Sequence, residues 1–185
     1  MNREGLVRRV TLDGMLFALA VVLSIVEGMI PVPAPVPGAR IGLANITVMY
    51  AAFFAGRRDA LVVAALKGMF AFITRGAVAG ALSLSGGILS AVVMIALVSA
   101  FRERVSYVML SVAGAVAHNA GQLVVIRFIY SSLALAAYAP MLVASGIVSG
   151  IITAAILRAL LPAARRFGMV DRYAGININE KRGVD

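Results

Sequence analysis

The run His118-Asn119-Ala120-Gly121-Gln122 places an imidazole and two carboxamides within five residues of an otherwise apolar stretch. His118 and Gln122 are four apart and share a helix face, and Asn119 and Gln122 are three apart. These groups donate and accept hydrogen bonds, and His118 is read here as neutral. Charged side chains fall in or beside other apolar stretches: Asp13, Glu27, Lys67, Arg75, Arg127 and, in a break, Arg40. A charge in hydrocarbon is costly, so each one marks a function by default. The planar guanidinium of arginine suits carboxylate and phosphate, to which it can make two bonds at once. The chemistry these types support is capture of a small polar or anionic molecule. The competing reading is that the amides lock helices to one another or to backbone carbonyls. For Asp13 a structural or snorkelling role is the better expectation. Arg127 lies nine residues from His118, roughly the opposite helix face at about 100° per residue. It joins the same site only if its side chain bends around the helix.

Several chemistries lack their residues. The chain has no cysteine, so no disulfide, thiolate metal site or cysteine nucleophile. No Gly-x-x-x-x-Gly-Lys-Ser/Thr loop is present to cradle nucleotide phosphates. No aspartate-rich cluster is present to hold magnesium for prenyl diphosphate chemistry. One histidine and eight scattered acids suggest no metal site. The expectation is a protein that is not an enzyme and takes no cofactor.

The elements that position the polar residues follow from composition. The 185 residues are 62% hydrophobic and 14% charged, with a mean hydropathy of +0.98. A soluble bundle would show polar faces at helical period, and this chain does not. Its charges cluster at the ends and in short breaks between apolar stretches of about 20 residues, the length that crosses a bilayer. Six transmembrane helices are expected, over residues 10–29, 42–55, 60–73, 80–101, 107–131 and 140–161. The second is short. Residues 31–37 carry four prolines and form a stiff extended loop. The first apolar run ends at these prolines and not at a small-residue cleavage site, so no signal peptide is expected. The domain organisation is a cytoplasmic N-terminus (1–9), one transmembrane domain (10–161) and a basic cytoplasmic tail (162–185).

Orientation follows from lysine and arginine. With the N-terminus inside, the inner segments hold thirteen: Arg3, Arg8, Arg9, Arg57, Arg58, Arg102, Arg104, Arg158, Arg165, Arg166, Arg172, Lys181 and Arg182. The outer breaks hold Arg40 and Arg75 alone. Basic loops stay in the cytoplasm, so both termini are placed there, in the cell membrane of a prokaryote. The net charge of +9 is thereby explained without nucleic acid. Glu27, Arg40, Asn45, Arg75 and Arg127 then sit at or near the outer ends of their helices. Small residues point to close packing: Gly86-Gly87 on the fourth helix, and Gly146, Gly150 and Ala154 on the sixth. Gly14 and Ala18 make a similar pair on the first helix and could dock an external helix.

The segments Gly42-Leu43-Ala44-Asn45, Gly86-Gly87-Ile88-Leu89-Ser90 with Met94, and Gly114-Ala115-Val116-Ala117-His118-Asn119-Ala120-Gly121-Gln122 resemble the motifs of the Gx transporter family. That family also carries the older label heptaprenyl diphosphate synthase component I. The resemblance spans roughly residues 10–160. The family is similar in size and layout to the substrate-binding (S) components of energy-coupling factor transporters. The resemblance implies a six-helix bundle that binds a vitamin or related micronutrient from outside. It also implies a separate transmembrane coupling subunit, docked at Gly14 and Ala18, and two ATPase subunits. Asp13 beside that face departs from a purely apolar contact.

The expected substrate-binding residues are Glu27, Arg40, Asn45, Arg75, His118, Asn119, Gln122 and Arg127, with the proline loop closing over the ligand. Two alternatives stand beside this reading. One is a membrane subunit of a prenyl diphosphate or quinone pathway. The other is a structural component of a membrane redox or export complex.

Overall fold

A computed structural model describes residues 3–29, 42–101, 105–129 and 135–166. These residues form α1 (Arg3–Met29), α2 (Asn45–Tyr50), α3 (Arg57–Arg75), α4 (Ala77–Phe101), α5 (Tyr107–Ile129) and α6 (Leu135–Arg166). The expected proline loop, Arg40, Arg102, Arg104 and the tail beyond residue 166 lie outside the described residues.

Four stretches are long and apolar enough to cross a membrane: Gly5–Met29, Ala77–Phe101, Tyr107–Ile129 and Ala139–Pro162. The protein is an all-helical, multi-pass membrane bundle. The α3 helix has 19 residues, about 28 Å at 1.5 Å per residue, but carries Lys67 midway and charges at both ends. The second helix differs most from expectation. It starts at Asn45, and α2 runs straight into a π-helical turn, Ala51–Ala55. Together they rise about 16 Å, which is too short to span. Every residue from Ile46 to Ala55 is buried, and α2 touches all five other helices. A helix apolar all round is stable only in such a setting. The widened turn closes with the Gly56 amide bonding the Ala51 carbonyl at 2.8 Å, and Gly56 then turns the chain at φ +135°. Phe53 and Phe54 of this turn pack with Tyr50 and Tyr107 in tilted and edge-on contacts, with ring centroids 5.0–5.8 Å apart.

Glycines set the packing of α3 to α6. A methyl group on Gly68 would lie 2.8 Å from the Leu84 backbone, and one on Gly80 would meet Phe72. On the next pair, Gly86 approaches the His118 carbonyl and Gly121 approaches that of Ser85, each at 2.8 Å from the position a Cβ would take. Gly146 meets Val116 and Gly150 meets Val112 in the same way. In each pair one number rises as the other falls, so α3, α4 and α5 each run antiparallel to the helix that follows. Close backbone approach at small residues is how helices associate where lipid removes the hydrophobic drive. The Ser85 hydroxyl adds a 3.0 Å bond to the Gly121 carbonyl.

The α1 helix leans on α2 and α3, through Phe17 edge-on to Phe70 at 6.3 Å and an Arg9 Nε–Asp59 Oδ1 pair at 3.8 Å. Its other face is apolar and exposed, as expected toward lipid, and includes Val10, Met15, Leu19 and Val22. The α6 helix continues through Pro140 and Pro162, where sequence reasoning began and ended it. A proline removes one backbone donor, and within a membrane helix neighbouring groups compensate.

Candidate functional site

A cavity of about 100 Å³ opens at the end of the bundle opposite the N-terminus. It lies where α1 and α3 end and α2 and α4 begin. Gly42 starts its wall. This residue sits at φ +83°, a left-handed conformation that glycine adopts without penalty, and its carbonyl accepts the Asn45 amide at 2.8 Å. The Gly42 amide donates to Glu27 Oε1 at 2.5 Å, so a carboxylate 4% exposed is held by a backbone donor. That bond ties the end of α1 to the entrance of α2. A charge-assisted bond of this kind is about twice as strong as a neutral one.

Lys67, 5% exposed, donates from Nζ to Asn45 Oδ1 and joins α3 to α2. Arg75 stands exposed at the mouth, in the last turn of α3, where a cation also complements the helix dipole. From α5, His118, Asn119 and Gln122 all line the cavity. Asn119 Nδ2 additionally donates to the Leu142 carbonyl at 2.8 Å and to Ser145 Oγ at 3.3 Å, which fastens α5 to α6. Ser24, Ser83 and Ser149 complete a lining drawn from all six helices.

The structure therefore brings Glu27, Asn45, Arg75, His118, Asn119 and Gln122 to one cavity. Arg127 is not among its lining residues, as its half-turn displacement from His118 requires, and Arg40 lies outside the described residues. Lys67 was singled out in the sequence as a costly charge without being assigned to the site. The three serines carried no signal, because serine is ordinary in membrane helices. The charges are two cations and one acid, and the acid is already bonded to a backbone amide. A lining with two cations to one acid suits an anionic or strongly polar ligand. Among the described residues no group of three or more histidine, cysteine or acidic side chains converges as a metal site would require.

The family model described as heptaprenyl diphosphate synthase component I matches residues 16–160. The chain belongs to this family. It is the one also called the Gx transporter family, and the match covers α1 from Leu16 onward, α2 to α5 in full and nearly all of α6. No curated protein and no solved structure matches the chain.

Proposed function

We propose that this family member is the substrate-binding membrane subunit of an energy-coupling factor type transporter for a small polar or anionic micronutrient. The observation that carries the reading is the convergence of polar side chains from all six helices on one cavity in a bundle that is otherwise apolar. With both termini in the cytoplasm, as the arginine distribution favours, that cavity faces outward. Lys67 and Arg75 supply positive charge to the ligand. Asn45, His118, Asn119 and Gln122 orient it, and Glu27 holds the entrance of α2 in place. Arg40 and the proline loop, assigned to the mouth from the sequence, lie outside the described residues. The chain contains no nucleotide-binding loop, so energy comes from separate ATPase subunits through a transmembrane coupling subunit. Gly14 and Ala18 are both exposed, and a methyl on Gly14 would meet nothing within 4 Å, so α1 offers a shallow face on which a partner helix can lie.

The test is mass spectrometry of the small molecule that stays bound through purification in mild detergent. The wild-type protein is expected to retain a polar or anionic compound, and Arg75→Ala and Gln122→Ala to lose it. Repeated preparations with no such compound would overturn the reading.

The family description supports a second reading, in which the chain is the membrane partner of a soluble prenyl diphosphate synthase. That reading requires the chain to change prenyl elongation when added to such a synthase.

A further inference from the structure

Beneath the charged cavity lies a second, smaller chamber of about 10 Å³. It shares Gly42, Asn45, Ala115 and Ser149 with the cavity above, so the two adjoin. Four helices, α2, α4, α5 and α6, contribute to it about one to three turns deeper. Met49 follows Asn45 on α2, Ser90 and Met94 follow Ser83 on α4, and Thr153 follows Ser149 on α6. On the antiparallel α5, Ser111 and Gly114 precede His118. The chamber carries no charged side chain.

Two of its hydroxyls decide what it is for. Ser90 is 1% exposed and Ser111 4% exposed, and both Oγ atoms are buried without a hydrogen-bond partner among the described residues. Serine in a helix usually bonds back to the carbonyl four residues earlier, as Ser99 does to Ile95 at 2.6 Å. Ser90 and Ser111 forgo that bond and line the chamber from facing helices. A buried hydroxyl without a partner costs roughly 1–3 kcal/mol. Gly114 makes the space. A methyl group there would come within 2.9 Å of Met94 Sδ and 3.2 Å of Ser90 Oγ. The volume is on the scale of one water-sized group, for which about 10–15 Å³ is the minimum.

We infer that this chamber is a second subsite of the same ligand, in which the Ser90 and Ser111 hydroxyls hold one uncharged hydroxyl or carbonyl oxygen. The inference rests on the transport reading and narrows its substrate class. The ligand is bipolar: an anionic or strongly polar end lies at Lys67 and Arg75, and a slim neutral oxygen-bearing end points into the bundle. The methionine side chains of Met49 and Met94 flank that end with adaptable apolar surface.

The natural absence of cysteine makes the chamber directly testable. Ser90→Cys and Ser111→Cys each introduce the sole thiol, to be labelled with methyl methanethiosulfonate in detergent-purified protein. Ala91→Cys is the control, since Ala91 is 0% exposed and packed in the core beside Ser90. The two chamber cysteines are expected to react at least about tenfold faster than the control, a difference of about 1.4 kcal/mol in access. Rates equal to that of Ala91→Cys would overturn the subsite, whatever the transport assay gives. In the second arm, Gly114→Ala narrows the chamber at the flexible end of Met94 and leaves every charged residue in place. It should lower ligand retention about tenfold while thermal stability holds. Full retention in Gly114→Ala and in the Ser90→Ala/Ser111→Ala double variant would reject the subsite and leave the upper cavity standing.

Discussion

Lys67 and Asn45 show how a side chain that looks misplaced is made stable. Deleting one partner leaves the other buried, which costs about 1–3 kcal/mol, whereas replacing both by apolar groups is close to neutral. Lys67→Met is therefore expected to lower thermal stability in detergent, and Asn45→Leu/Lys67→Met to restore most of it. Neither variant is expected to retain ligand. Recovery of stability without recovery of binding is what separates a ligand-facing charge from a structural one. Arg75 gives the complementary case. It is exposed at the mouth, so Arg75→Ala should cost less stability than Lys67→Met and still abolish retention. Asn119→Ala is less clean, because its amide also bonds α6. It should lose about 1–2 kcal/mol of stability together with any effect on ligand.

At the scale of elements, adjacent glycines on α4 make opposite predictions. A methyl on Gly86 would lie 2.8 Å from the His118 carbonyl, whereas one on Gly87 meets Ala64 at 3.5 Å or beyond. Gly86→Ala must force α4 and α5 apart, at about 1–3 kcal/mol, and should distort the cavity with them. Gly87→Ala should be tolerated. Comparing the two melting temperatures decides the matter. The sequence marked both glycines as packing positions and could not rank them, since a run of small residues fixes a close approach without fixing which face makes it. The same limit applied to the polar residues. Glu27, Asn45, Arg75, His118, Asn119 and Gln122 were legible because such groups are rare in lipid-spanning segments, and the helix-end positions of Glu27, Asn45 and Arg75 followed from orientation. Lys67 was visible as a charge, but its partner on α2 depends on how deeply that helix sits. Ser111 gave no signal and Ser90 stood out only as part of a motif, because only the structure shows that both forgo the usual bond to their own helix. Four long helices were plain from hydropathy. The second was read as a short span because its apolar run resembles one, and only its burial on all sides distinguishes it.

At the scale of the whole molecule, the orientation inferred from arginine is tested by labelling the two termini. Single cysteines placed at Asn2 and at Val184 should both resist a membrane-impermeant thiol reagent in intact cells and react after lysis. Labelling of either in intact cells would invert or break the topology. It would also turn the cavity to the cytoplasmic side and remove the uptake reading.

The burial of α2 has a consequence for how the protein is made. An 11-residue helix cannot be released into the bilayer by itself, yet it is the second element to leave the ribosome. Its neighbours on α4, α5 and α6 are synthesised later. During biosynthesis it must wait in a shallow or chaperoned position until those helices arrive to enclose it. Chains truncated before α6 should therefore be degraded quickly even though several intact spans precede the cut. The helix that forms the wall of the cavity is thus settled last, and a completed cavity also signals that α6 has been made.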